Sequence, residues 1–124
     1  MGEINKYFFD TYALFELLHK NKNYSSYLRV GIITTLFNLM ELHYRFLILY
    51  GDKLAEIAFN RFLPFIADVS PQIIKEANKF KCFHKKRKLS YVDCIGYVIS
   101  RKMNIKFLTG DKEFKNMENV EFVK

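Results

Sequence analysis

Short apolar runs of strand length alternate along this chain with longer stretches whose apolar residues recur at helical spacing. That alternation predicts a three-layer α/β domain, helices packed on both faces of a central, mainly parallel sheet. The runs Tyr7-Phe8-Phe9 and Ile105 to Leu108 have the length and composition of buried strands, and helix start and stop signals lie between them. At 124 residues, half of them apolar and including 13 Phe and 8 Tyr, the chain 1–124 suits one compact domain with a sizeable core.

The elements follow in order. Residues 6–10 read as a strand, and residues 11–20 as a helix with Leu14, Leu17 and Leu18 at helical spacing. Residues 20–23 are a polar loop, residues 24–30 a second short helix ending near Gly31, and residues 32–34 a short extended piece. Thr34 or Thr35 can cap a long helix that runs to about Tyr50, with Gly51 just beyond it. Asp52 opens another helix to roughly Leu63, and Pro64 is expected to stop it. Residues 65–69 look extended. Ser70 is then a cap and Pro71 the first helical residue of a helix that passes Ile73, Ile74 and Ala77 to about Phe80 and on toward the basic segment. Ser90 starts a further helix to about Met103; Gly96 within it costs about 1 kcal/mol against alanine, which points to a close approach by a neighbouring element. Residues 105–108 form a strand, 109–110 a turn, and 119–123 a last strand after a short helical turn.

Composition narrows the classes of function. The net charge of +7 points to a polyanionic partner, nucleic acid first. The longest unbroken apolar stretch in the helical middle, Phe46 to Tyr50, is far short of the roughly 20 residues a bilayer span needs. Glu3, Asp10 and Glu16 interrupt the region where a signal peptide would be apolar, and Lys6 stands where myristoylation after Met1-Gly2 needs Ser or Thr. A soluble cytoplasmic protein is expected. Cys82 and Cys94 have no metal-ligand spacing around them and read as free, buried thiols. His19, His43 and His84 share no such spacing either and read as surface or packing residues.

Four acids stand out by their settings. Asp10 and Asp111 follow the two apolar strands, Glu41 interrupts a strongly apolar helix, and Asp93 lies in the first turn of another. Acids in apolar surroundings cost free energy unless something compensates them, and a divalent cation is the obvious compensator. In open α/β sheets the ligand site lies beyond the carboxyl ends of the strands, where Asp10 and Asp111 sit. If their strands are neighbours, the backbones are about 5 Å apart and both side chains can reach one ion. Asn38, Glu41 and Arg45 form a polar stripe at i, i+3 and i+7, and Asp93 shares a helical face with Tyr97 and Ser100. The two stripes are expected to meet at one strand edge.

Each acid also has a purely structural role open to it. Asp10 can cap the helix beginning at Thr11, Ser90 and Asp93 have capping-box spacing, and Asp111 can sit in the turn after Gly110. Glu41 and Arg45 can form an exposed ion pair contributing roughly 0.3 to 0.5 kcal/mol.

The segments Phe8-Phe9-Asp10-Thr11-Tyr12-Ala13-Leu14, Asn38-Leu39-Met40-Glu41, Leu89-Ser90-Tyr91-Val92-Asp93 and Leu108-Thr109-Gly110-Asp111-Lys112-Glu113-Phe114 occur in that order. Together they resemble a PIN domain, and more narrowly the small single-domain PIN proteins typified by VapC toxins, over nearly the whole chain. The resemblance implies a PIN-like α/β/α fold and a metal-dependent endoribonuclease, with Asp10, Glu41, Asp93 and Asp111 holding Mg²⁺ or Mn²⁺ and acting in catalysis. Thr109, Asn38 and Thr11 would support them. Hydrolysis of RNA with a 5′-phosphate product, a small antitoxin partner and a homodimer are further implications. One position departs from the pattern: many toxin members carry a small polar residue two places after the first acid, where this chain has Tyr12. The other readings are an RNA-processing nuclease without an antitoxin and a non-catalytic PIN-like module binding RNA or protein.

Six cations and no acid fall in residues 79–88: Lys79, Lys81, Lys85, Lys86, Arg87 and Lys88, with Phe80, Phe83 and His84 among them. They read as RNA phosphate contacts, with an aromatic ring available to a base. Alternatively, they are a solvated helix end with both Phe residues turned to the core.

Overall fold

The computed structural model describes residues 5–124; the readings that rest on Met1, Gly2 and Glu3, concerning a signal peptide and myristoylation, lie outside the described residues. Among the described residues four strands form one sheet: β1 (Lys6–Phe9), β2 (Gly31–Ile33), β3 (Lys106–Thr109) and β4 (Val120–Phe122). Their spatial order is β2-β1-β3-β4, and every neighbouring pair is parallel. Phe8 lies opposite Ile33 on one side and Phe107 on the other, and Phe9 lies opposite Leu108.

Side chains alternate across a strand, so consecutive residues serve opposite cores. Phe9 and Leu108 pack on one face against α1 (Thr11–Leu18), α2 (Leu36–Tyr50) and α3 (Asp52–Phe62), with Leu14, Leu39, Leu42, Phe62 and Tyr24 buried among them. Phe8 and Phe107 pack on the other face against α4 (Pro71–Phe83) and α5 (Tyr91–Lys102), through Ala77, Ile95, Tyr97 and Ile99. Each fully buried Phe or Leu contributes about 1.5–3 kcal/mol of transfer free energy. Two cores across one sheet make the three α/β/α layers of a PIN-like fold. Among the described residues no helix is long and apolar enough to cross a membrane.

The caps fall where the sequence put them. Thr35 accepts from the Asn38 amide at the start of α2, Ser70 caps α4 ahead of Pro71, and Ser90 and Asp93 form a reciprocal capping box on α5. Gly51 ends α2 at φ 90°, a conformation that L side chains rarely adopt. At Gly96 an added Cβ would stand 2.6 Å from Phe8 Cε1, so the missing side chain lets α5 lie directly on β1.

Several expectations need correction. The second short helix is a 3-10 turn over Lys22–Tyr27, begun inside the expected polar loop where Asn21 caps it. α3 ends at Phe62, next to the end expected before Pro64, but the chain does not become extended there: Pro64 sits in a 3-10 turn, Leu63–Phe65, where its fixed φ is tolerated. The extended stretch 65–69 reduces to one isolated parallel bridge, Thr34 to Ile66. Cys82 is exposed, although Cys94 is buried; both are free. Phe83 is 84% exposed, so only Phe80 of that pair turns inward, where it stacks on Tyr97.

Candidate active site

The sheet places the acids by its connectivity. The chain leaves β1 toward β2 on one side and later leaves β3 toward β4 on the other, so the connections diverge between β1 and β3. A crevice forms beyond the carboxyl ends of strands at such a point. Asp10 follows β1 directly, its amide donating to the Leu108 carbonyl (3.3 Å), and Asp111 lies two residues beyond the end of β3. A cleft of about 380 Å³ at this point is lined by Asp10, Thr11, Tyr12, Glu41, Tyr44, Arg45, Asp93 and Asp111. All four acids named from the sequence therefore line one cleft.

Each carboxylate is held by a hydrogen bond, three of them local and that of Glu41 from another helix. Asp10 Oδ1 accepts from the Ala13 amide (2.8 Å) as the N-cap of α1. Asp93 Oδ2 accepts from the Ser90 amide (2.9 Å), and Asp111 Oδ1 accepts from the Glu113 amide (2.9 Å). Glu41 Oε1 accepts from the Thr11 hydroxyl (2.6 Å). The capping roles are thus real and coexist with membership of the cleft. The expected Glu41–Arg45 ion pair does not form among the described residues; the Arg45 guanidinium instead stacks 4.4 Å from the centre of the Phe15 ring.

The supporting residues form a directed relay. The Thr35 hydroxyl donates to Asn38 Oδ1 (2.6 Å), Asn38 Nδ2 donates to Thr11 Oγ1 (3.1 Å), and Thr11 donates to Glu41. Asn38 is buried, so its amide is held in one orientation by these partners. Thr109, also buried, accepts from the Asp111 amide (3.0 Å) and lies close enough to the Asp10 carboxyl to lower its pKa. The stripe that α5 was expected to contribute is different: Asp93 reaches the cleft, whereas Tyr97 and Ser100 turn into the core. There the Tyr97 hydroxyl donates to the Glu118 carbonyl and the Ser100 hydroxyl to the Tyr97 carbonyl.

The acids share one electrostatic environment. Burial pushes the Asp10 carboxyl up to about 8; hydrogen bonds from Thr109 and Ala13 oppose the rise, and the charges of Asp93 and Asp111 add to it. Burial likewise raises Asp93, with Asp111 adding and the Ser90 hydrogen bonds and Lys81 opposing. It also raises Glu41, with Thr11 opposing and Asp93 adding. A cluster that resists its own ionisation in this way has room for positive charge.

The donor set is oxygen only, which suits a hard divalent cation. Among the described residues no three His, Cys, Asp or Glu side chains form a ready-made metal cage. Glu41, Asp93 and Asp111 nevertheless each have one carboxylate oxygen without a protein hydrogen bond among the described residues. An ion that keeps several waters and leans on a few carboxylates needs no more than this.

Tyr12 and Tyr44 complete the cleft wall. The Tyr12 ring lies over Gly110 so closely that any Cβ there would collide with it, and burial raises its hydroxyl pKa, with Glu16, Asp10 and Asp111 adding. The sequence marked Tyr12 only as a departure. For Tyr44 the one available signal was its position three residues after Glu41 on the same helix face.

The cations of residues 79–88 do not gather at this cleft. Lys79 lines a separate cleft with Glu76, Phe80, Arg101 and Lys102. Arg87 Nη1 donates to the Glu113 carbonyl (2.7 Å), and Lys88 contributes a backbone amide to the Glu113 carboxylate (3.3 Å). Lys86 is exposed. Lys81 and Lys85 line a third cleft, beside Tyr91.

No protein-family model matches the chain, and no curated protein matches it in sequence. Solved structures do match. VapC20 of Mycobacterium tuberculosis, described as a toxin that cleaves the sarcin–ricin loop, aligns with a TM-score of 0.78 at 20% identity, over 95% of this chain and 99% of its own. VapBC2 of Rickettsia felis, bound to a promoter DNA fragment, gives 0.72 at 18% identity, covering 96% and 99%. DNA-bound VapBC of Salmonella typhimurium gives 0.73 at 14% identity, covering 96% and 97%. The chain has a VapC-like PIN fold.

Proposed function

We propose that this protein is a divalent-metal-dependent endoribonuclease and the toxin of a VapBC-type toxin–antitoxin pair. The observation that carries the reading is the convergence of four carboxylates, from four separate segments, on one cleft at the switch point of a parallel sheet. That the matching structures are VapC toxins, one described as cleaving the sarcin–ricin loop, supports the same reading.

Asp10, Glu41, Asp93 and Asp111 would hold Mg²⁺ or Mn²⁺. Such an ion, when bound, supplies positive charge against phosphate oxygens and a water of lowered pKa. The chain's own residues do the positioning. Thr11 aims one oxygen of Glu41 and leaves the other free, the Thr35–Asn38 pair orients Thr11, and Thr109 holds the Asp111 backbone. Arg45 is the cation lining the cleft, and its stacking on Phe15 holds it where an incoming phosphate would meet it. RNA binding itself draws on the net charge of +7.

On α2 the exposed residues Met40, Tyr44 and Ile48 follow one another at four-residue spacing beside Glu41. An apolar row in that place suits a small antitoxin that covers the cleft. A homodimer of the toxin belongs to the same proposal.

RNA cleavage by wild type and by Asp93→Asn, each with Mn²⁺, with Mg²⁺ and with chelator, tests the reading. Asparagine keeps an oxygen to accept from the Ser90 amide, so circular dichroism should show an unchanged fold. Metal-dependent cutting that Asp93→Asn abolishes is the expected result. Equal cutting by both proteins refutes it, and no cutting of several RNAs by wild type favours the non-catalytic binding module. Growth arrest on expression, relieved by a co-expressed small partner, distinguishes a toxin from an RNA-processing nuclease.

A further inference from the structure

The basic stretch 79–88 divides among three places, and only Lys81 and Lys85 face a cleft close to the acids. That cleft, about 350 Å³, is lined by Asn78, Lys81, Cys82, Lys85 and Tyr91. Tyr91 is the first residue of α5 and Asp93 the third, so the two side chains leave opposite sides of one helical turn. The cleft nonetheless lies close to the acid site, since the charge of Lys81, which lines it, acts on the Asp93 carboxyl.

The helix cap does not need Tyr91. Ser90 and Asp93 already complete the helix cap, and Tyr91 is 67% exposed. Its surroundings are nonetheless ordered. Lys81 Nζ donates to the Leu89 carbonyl (2.7 Å), which holds the ammonium 5.1 Å from the centre of the Tyr91 ring, over one face. With the cation on that face and the residue so exposed, the other face is open. Lys85 adds a second cation to the same cleft, and Asn78 adds an amide that can both donate and accept.

An open aromatic face, two cations and one amide, beside a candidate phosphodiester-cleaving site, is a combination suited to an unstacked nucleotide. We propose that this cleft is a substrate subsite for single-stranded RNA. Tyr91 stacks a base that flanks the cleaved bond, Lys81 and Lys85 neutralise its phosphate, and Asn78 meets the base edge. The identity of the strand rests on the ribonuclease reading above. Duplex RNA is a poor ligand here because its bases are already stacked and paired.

The test separates binding from cleavage. A fluorescent pool of short single-stranded RNA is titrated in chelator with wild type, Tyr91→Phe, Tyr91→Ala and Lys85→Ala, and the same sequences are presented as duplex. Cys82 provides a second readout, because it is exposed in this cleft whereas Cys94 is buried. Expected are about tenfold weaker single-strand binding by Tyr91→Ala, near wild-type binding by Tyr91→Phe, and weaker binding by Lys85→Ala. Single-stranded RNA should also slow maleimide alkylation of Cys82 more than duplex does. Wild-type affinity in Tyr91→Ala together with unprotected Cys82 overturns the proposal, as does failure of wild type to bind the single strands. Protection of Cys82 by an acidic protein but not by RNA overturns it too. Protection by RNA in a protein that cuts nothing supports the subsite and removes the nuclease. Cutting that Tyr91→Ala leaves unchanged removes the subsite and keeps the nuclease.

Discussion

At Asp10 the chain buries a carboxyl with no salt-bridge partner among the described residues. Its ordinary value is 3.8, and burial raises it to about 8, so folding favours the protonated form. The stabilising contribution of this group is fully present below pH 4 and is lost as the pH rises toward 8. Burial raises Glu41 and Asp93 in the same direction. Thermal melts in chelator should therefore show lower stability at pH 8 than at pH 5, and Asp10→Asn should flatten that difference. A Tm independent of pH over this range would contradict the burial argument. A second prediction concerns Thr11, whose hydroxyl joins Asn38 to Glu41. Thr11→Val removes the bridge at nearly constant volume and leaves Asn38 Nδ2 short of an acceptor, at a cost of about 1–3 kcal/mol. Urea unfolding measures that loss, and cleavage should fall with it; unchanged stability and activity would show that the relay is incidental.

Among the elements, α5 does two jobs with adjacent residues. Its first turn presents Asp93 to the cleft through the Ser90 capping box, and one turn later Gly96 brings the helix onto Phe8 and Phe107. Gly96→Ala improves helix propensity by about 1 kcal/mol but places a Cβ against Phe8, where overpacking costs about 1–3 kcal/mol. A net fall in Tm is expected; a rise would mean that Phe8 yields freely. The starts of α2, α4 and α5 were legible because Thr35, Ser70 and Ser90 each satisfy an amide of the first turn, a requirement local to a few residues. The segment after Pro64 was not legible. Phe65-Ile66-Ala67 has the composition of a strand, yet a parallel strand needs a partner along its length, and only the Thr34–Ile66 bridge forms. Whether an apolar run pairs is decided by distant chain, which local composition does not encode.

Over the whole molecule, strand order decides what the acids become. Asp10 and Asp111 meet because β1 and β3 are neighbours, and parallel connections reaching out to either side make that pairing the switch point. Alternation of strands and helices, and the acids at strand ends, could be read in the sequence. The turning inward of Tyr97 and the scattering of residues 79–88 could not, since both depend on packing between α4, α5 and the segment around Glu113. The net charge of +7 gives RNA affinity a salt dependence, and Lys85→Ala should reduce the slope of log affinity against log salt by about 0.7 if that lysine meets one phosphate of a single strand. The central claim is that the four acids are one unit completed by a divalent cation. Titration of Mn²⁺ into wild type and Glu41→Gln, followed by the paramagnetic signal of the free ion, tests it most directly, because glutamine keeps the acceptor for Thr11 and removes only charge. Saturable binding by wild type, weakened about tenfold or more in Glu41→Gln, is the expected result. Equal binding by the two proteins, or none by wild type, would contradict it.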